Sequence, residues 1–238
     1  MIRGLKSALG FLTILPVGMD LDTKVVARSV WLFPPVGVFI AILSAMVYKV
    51  LILYLPNSIS AAFALFALLV LTGFHHLDGL LDFGDGVMCV GNFERRRRAM
   101  YDVNIGAGGF AIGFFVLLIT FAALLENDSI VRGLIVAEAS AKFSMVLLAF
   151  AGKESHMGMG SAFTNAVDFR LLLITLVFYL PTLAILPMEK GIVVFFGTVA
   201  ISLVMTIISS KLFGGVSGDV FGAMNEITRM AVLVVLLL

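Results

Sequence analysis

A single cysteine, Cys89, stands among 238 residues. That excludes an internal disulfide and leaves no thiolate cluster for a zinc site. Charge is scarce as well. Charged residues make up 13% of the chain against 61% hydrophobic, and the mean hydropathy is +1.13. Soluble domains carry roughly 25% charge, so a soluble globular protein is excluded and an integral membrane protein is implied. The net charge of +1 says nothing about partners, and no nucleic-acid partner is expected. Internal repeats, low-complexity tracts and a separable soluble segment are all missing, so residues 1–238 read as one membrane-embedded domain. Residues 9–17 are apolar behind Arg3 and Lys6, as in a signal peptide, yet no small-residue cleavage site follows and Pro16-Val17-Gly18 breaks the run. An interfacial or re-entrant helix is expected there instead.

What the chain does have is long apolar runs. A spanning helix needs about 20 apolar residues. That length places spans near 31–55, 59–76, 107–125, 130–151, 171–186 and 192–209, with a seventh helix over 219–238 entering the membrane at least partly. The expected fold is all-α, a polytopic membrane bundle of six to seven transmembrane helices. The runs are too long and too uniform for a transmembrane β-barrel. Orientation follows from the sixteen Lys and Arg. Arg3, Lys6, Lys24, Arg28, Arg95 to Arg98, Lys153, Arg170, Lys211 and Arg229 fall on one side. Only Lys49, Arg132 and Lys190 fall toward the other, with Lys142 inside a span. The positive-inside rule puts the first side in the cytoplasm. The opposite connections, 56–58, 126–128 and 187–190, are short, so the polar chemistry gathers on the cytoplasmic face of the cell membrane.

The richest polar stretch is 74–86, directly after an apolar run. Asp78, Asp82 and Asp85 are spaced i, i+4, i+7, which places them on one helical face. Helix capping accounts for one such acid, but three on one face repel unless a cation holds them. An oxygen-ligand divalent site, with Mg2+ as the cofactor, is therefore expected on Asp78, Asp82 and Asp85. Gly79, Gly84, Gly86 and Gly91 around them permit close backbone approach to a ligand. Downstream come Glu94, the arginine run 95–98, Asp102, and the glycine-rich start 105–109 of the next helix, where free N–H groups at Gly106 favour an anion. Carboxylates for a metal, arginines and a helix N-terminus together suit a diphosphate. The arginine run is equally a positive-inside anchor, and adjacent helical side chains cannot all face one site. His75 and His76 are either helix-end residues or site residues, with His76 the closer to Asp78.

The segment His76-Leu77-Asp78-Gly79-Leu80-Leu81-Asp82, followed by Asp85-Gly86, resembles the H-x-D-G-L-A-D-x-x-D-G signature of the cobalamin synthase (adenosylcobinamide-GDP ribazoletransferase) family. Glu94, Arg95, Arg96, Met100, Asp102, Ile105 and Gly106 resemble its E-R-R-x-x-x-M-K-D-S-x-I-G element. Gly215 to Asp219 with Gly222, Ala223 and Glu226 resemble G-x-[TS]-G-D-x-x-G-A-x-x-E, and Phe11-Leu12-Thr13 with Leu15-Pro16 resembles the F-L-T-x-L-P opening. The likeness runs the length of the chain, in order. Departures are Leu81 for a small residue, Tyr101 for a basic one, Val103 for Ser, Ile14 for Arg and Lys142 for Arg. None removes a carboxylate or glycine of the motifs.

The resemblance implies a Mg2+-dependent membrane transferase of cobalamin biosynthesis that joins adenosylcobinamide-GDP to α-ribazole, or its 5'-phosphate, and releases GMP. It implies that Asp78, Asp82 and Asp85 hold the metal and that Arg95 and Arg96 neutralise phosphate charge. Asp102 and Gly106 contact substrate, and His76 or one of the acids accepts the hydroxyl proton. Asp219 and Glu226 form a second part of the site. The chain is compatible with a homo-oligomer or an association with other corrinoid-pathway enzymes. Glu138 and Lys142, i and i+4 in a span, are either a structural ion pair or a substrate contact. The polar segment 152–161 is either a cover over the large substrate or a connector. The alternatives are a CDP-alcohol-type phosphotransferase, whose D-G-x-x-A-R opening is missing, and an ion-coupled transporter. A transporter would carry its acids at the midplane in two related halves.

Overall fold

The computed structural model describes residues 2–17, 23–155 and 159–238. Among them it contains twelve α-helices and no strand, the nearest approach to one being an isolated bridge between Glu154 and Val216. The all-α polytopic expectation holds. Four helices are long and apolar enough to cross a membrane: Val30–Leu51, Ala107–Glu126, Ile130–Ala151 and Met188–Phe213. The first comprises a 3-10 turn, Val30–Leu32, continuous with α3 (Phe33–Leu51). Before it come the short α1 (Ile2–Leu12) and α2 (Thr23–Arg28). The α1 helix is short of a span; it exposes Ile2 and Leu5 and buries Ala8 and Leu12 against the bundle.

The expected span 59–76 is not one straight helix. α4 (Asn57–Leu71) stops, and α5 (His75–Met88) leaves at 88° to it. Gly73 and Phe74 both adopt left-handed backbone, with φ of 62° and 59°. That conformation is open to glycine but uncommon for a bulky residue such as Phe74. This turn takes α5 out of the spanning direction. With the bent pair counted as one span the total is five, fewer than the six to seven expected. α10 (Phe169–Leu183) has 15 residues, about 22 Å at 1.5 Å per residue, and α12 (Gly218–Val235) is interrupted by polar residues that the bundle buries.

α6 (Phe93–Met100) and α7 (Ala107–Glu126) follow α5, then α8 (Ile130–Ala151), the short α9 (Met159–Thr164), α10, α11 (Met188–Phe213) and α12. α8 is the central post, packed on α3, α10, α11 and α12. Its Ala137, Ala139, Ser140 and Ala141 are fully buried. Small side chains are what allow close helix contact where lipid supplies no hydrophobic contrast. Gly37 of α3 meets α8 so closely that a Cβ there would lie 2.7 Å from the Glu138 carbonyl. By contrast α7 and α11 turn Phe110, Phe114, Phe115, Phe196, Val204 and Ile207 outward, an apolar exterior suited to lipid.

Candidate functional site

Two close crossings bring the sequence motifs to one place. α5 crosses α12 at Gly79 and Gly222: a Cβ on Gly79 would come within 2.9 Å of the Asp219 carbonyl oxygen, and one on Gly222 within 2.9 Å of the His76 carbonyl oxygen. α5 crosses α7 at Gly84 and Gly109, where a Cβ on Gly84 would lie 2.9 Å from the Gly109 Cα. The glycines of the acidic stretch thus serve helix approach. The result sets Asp78 and Asp82 of α5 beside Asp219 at the start of α12, residues 137 or more apart in sequence.

These acids feel one another. The Asp82 carboxyl is pushed up to about 6, first by partial burial and then by the negative charges of Asp78, Asp219 and Asp85. α5 is not one of the four helices long and apolar enough to span alone. Next to it is a cavity of about 360 Å3. Its lining includes His75, His76, Asp78 and Asp219 together with Phe11, Met145, Phe163 and Phe221. His76 is buried with an unpartnered Nδ1. Burial and the nearby positive charges of Lys142, Arg229 and His75 hold its pKa well below the usual imidazole range. A neutral ring with a free nitrogen lone pair can accept a proton from a bound hydroxyl.

Asp85, expected as a third metal ligand, has a different set of contacts. Its Oδ2 accepts from the Gly106 N–H at 2.7 Å and its Oδ1 from the Gly109 N–H at 2.8 Å. It therefore caps the N-terminus of α7 from a neighbouring helix, satisfying donors that a helix start leaves free. The anion expected at Gly106 is this side chain. Among the described residues, no group of three His, Cys, Asp or Glu side chains converges as a metal-binding cluster.

The arginine run divides as helical geometry requires. Arg95 is exposed. Arg96 turns back, donating from Nη1 to the Gly86 and Val87 carbonyls (3.1 and 2.7 Å) and from Nε to Gly91 at 3.2 Å, so it caps the C-terminus of α5. Arg98 makes a 4.0 Å surface pair with Glu94, a contact of little energetic weight. Arg97 was not singled out by sequence, yet it alone of the four reaches across. Its Nη1 donates to the Ser155 carbonyl at 3.4 Å, its Nε is buried without a partner, and its charge acts on Tyr101 beside Asp219 and Ser217. Asp102 closes an Asx turn, accepting from the Asn104 backbone and side chain, both at 2.9 Å. Those two bonds lower its pKa.

Glu226 is 1% exposed and stands away from the cavity lining. It belongs to a buried network with Glu138, Lys142, Asn225 and Arg229. Arg229 donates to both Glu138 and Glu226. Lys142 donates to Glu138 at 3.3 Å and to Asn225 Oδ1 at 2.6 Å, and Asn225 donates to Glu226 at 3.1 Å. Two acids balance two bases, which is what makes burial tolerable. Arg229, expected beside the cytoplasmic loops, is in this network and fully buried. The segment 152–161 is tied down at its start, with the Val216 N–H donating to the Lys153 carbonyl at 2.7 Å; residues 156–158 lie outside the described residues.

The fold and site define a polytopic all-α membrane protein with an acidic cleft built from α5 and the start of α12. The sequence profile of the cobalamin-5-phosphate synthase family matches residues 4–237, and the chain belongs to that family, whose members are enzymes of cobalamin synthesis. Relatives named adenosylcobinamide-GDP ribazoletransferase include one from Methanocella arvoryzae, 34% identical and covering 98% of this chain and 94% of its own length. Another, from Archaeoglobus fulgidus, is 33% identical and covers 97% and 95%. A third, from Methanococcoides burtonii, is 31% identical with 99% and 92% covered. No solved structure matches the chain.

Proposed function

We propose that this protein joins adenosylcobinamide-GDP to α-ribazole, or to its 5'-phosphate, with release of GMP. The observation that carries the reading is the meeting of Asp78 and Asp82 with Asp219 beside a cavity that also holds His76. In this reaction the ribazole 5'-hydroxyl attacks the phosphorus attached to cobinamide. A new P–O bond forms as the bond to GMP breaks, and the hydroxyl proton passes to His76 Nδ1 or to one of the carboxylates. Such chemistry needs alignment and neutralised charge more than covalent catalysis.

Mg2+ fits the donor set. The carboxylates offer hard oxygens, and Asp82 is pushed up first by partial burial and then by the charges of Asp78, Asp219 and Asp85, charges that a cation would offset. Mg2+ commonly uses one or two protein carboxylates plus waters and substrate phosphates, so three converging side chains are not required. One or two of Asp78, Asp82 and Asp219 are proposed to hold it, with Asp85 assigned to α7. When bound, such an ion supplies neutralising charge to a diphosphate. Arg97, facing the loop that precedes α12, is the arginine best placed to add to that charge, ahead of Arg95 and Arg96.

The basic residues Arg3, Lys6, Arg95 to Arg98, Lys153 and Lys211 lie on the same side of the chain's topology as this cleft. By the positive-inside rule the site faces the cytoplasm of the cell membrane. The test is reconstitution in liposomes with adenosylcobinamide-GDP and α-ribazole, with and without Mg2+, following cobamide and GMP by chromatography. Product that needs both substrates and the metal supports the reading; none from folded protein removes it. Labelling of Cys89 by an impermeant thiol reagent in right-side-out vesicles should be absent until they are opened.

A further inference from the structure

The cavity beside the acids is lined by two unlike sets of side chains. Its polar side chains come from α5 and the start of α12. Its apolar ones, Phe11, Met145 and Phe163, come from α1, α8 and α9, joined by Phe221 of α12. Three of these are rings in one cluster: Phe11 and Phe163 have centroids 5.2 Å apart, and Phe163 and Phe221 5.5 Å apart. Phe33 backs the cluster from α3, 5.9 Å from Phe11 and 6.0 Å from Phe163. Phe163 and Phe221 are 5% and 6% exposed, so packing fixes their positions at the edge of the cavity.

We propose that this aromatic lining is the subsite for the base of the acceptor nucleoside, and that it selects a bicyclic base with an apolar edge over a purine. The inference rests on the reaction proposed above. Size comes first. A volume of about 360 Å3 falls at the lower end of the roughly 300–1,000 Å3 of small-molecule pockets. It accommodates one nucleoside and cannot enclose a corrin ring with its side chains. Polarity comes second. The polar edge of guanine or adenine would face Phe11, Met145, Phe163 and Phe221, none of which returns a hydrogen bond, and unpaired buried polar groups are disfavoured. The substituted benzimidazole of α-ribazole has an apolar edge that matches. Met145 adds an adaptable sulfur contact to aromatic faces. Direction comes third. A base seated there has its sugar toward His76, Asp78 and Asp219, where the attacking hydroxyl must lie.

The test is steady-state kinetics on the full-length protein in liposomes, with α-ribazole and with the corresponding α-riboside of adenine as acceptors. Wild type should prefer α-ribazole by tenfold or more in kcat/KM. Phe163→Ala should raise the KM for α-ribazole by about 5- to 150-fold, the range for loss of one base–aromatic contact, while the KM for adenosylcobinamide-GDP stays within about twofold. Phe163→Leu keeps the apolar volume and removes only the aromatic face. It should give a smaller rise in the same direction, which keeps the test readable if the alanine variant fails to fold. Equal use of the two acceptors by wild type, or a rise confined to the KM for adenosylcobinamide-GDP, would overturn the subsite and leave the reaction standing. No product from wild type with either acceptor would remove both.

Discussion

Replacing Glu138 by Gln should cost stability before it costs catalysis. Glu138, Lys142, Glu226 and Arg229 are each at most 1% exposed, and together they carry two negative and two positive charges. Lys142 Nζ is 3.3 Å from Glu138 Oε2. At an effective dielectric near 20 that attraction is about 5 kcal/mol, most of it offset by the desolvation of both ions. Glu138→Gln leaves Lys142 and Arg229 with Glu226 as their one anion. Breaking one member of a buried pair costs about 3–5 kcal/mol. The amide oxygen still accepts from Arg229, so a loss near 3 kcal/mol is expected. With about 2–4 °C per kcal/mol for a chain of this size, Tm should fall by roughly 6–12 °C. Adding Lys142→Met restores charge balance and should recover at least half of the loss. The assay is thermal unfolding in detergent, with turnover measured well below the lower Tm. A Tm within about 2 °C of the parent, or a double variant less stable than Glu138→Gln alone, would refute the argument. Lost turnover at an unchanged Tm would instead place Glu138 in the site.

Three further perturbations read other parts of the structure. The Asp82 carboxyl, at about 6 in the fold, takes up a proton there before it does unfolded. Its charge therefore opposes folding above that pH, and metal-free protein should gain stability as pH falls from about 6 toward 4. Asp82→Asn should flatten that gain in Tm measured with EDTA, and should abolish turnover with the protein still folded; retained turnover would remove Asp82 from the metal proposal. Gly79→Ala and Gly222→Ala each place a Cβ within 2.9 Å of a backbone oxygen of the facing helix. Each should cost about 1–3 kcal/mol and reduce activity further by separating Asp78 from Asp219, which paired Tm and kcat measurements would distinguish. Arg96→Ala should lower Tm by a few degrees through loss of the α5 cap. Arg97→Ala should leave Tm nearly unchanged and raise the KM for adenosylcobinamide-GDP; the opposite pattern would exchange their roles.

The membrane class and the helices near 107–125, 130–151 and 192–209 were legible because uniform apolar runs need no partner to be recognised. The break after Leu71 was less so. Gly73 alone hinted at it, and nothing marked Phe74 as left-handed. At the site, the i, i+4, i+7 spacing put three acids on one face. Periodicity does not say which of them meets another helix, and Asp85 proved to face the start of α7. Arg97 was hidden for the same reason, since four adjacent arginines look alike until a neighbouring loop distinguishes one. Glu226 and Arg229, at i, i+3, carry a local signal of pairing, whereas the family motif draws Glu226 alone toward the site.

By itself the sequence determined that the chain is apolar enough to need a membrane, that it spans as helices, and that its acids, glycines and arginines crowd two motifs resembling those of one enzyme family. These are properties of local composition and spacing, fixed by what each segment can bury or hydrogen-bond alone. Only the tertiary structure decided that Asp219 completes the acidic cleft, that Glu226 is sealed in an ion network, and that four aromatic rings from α1, α3, α9 and α12 share one cluster. Those facts depend on how closely helices approach. That approach is set at Gly79, Gly84, Gly109 and Gly222 by the absence of a side chain, which matters only once a second helix is there to fill the space.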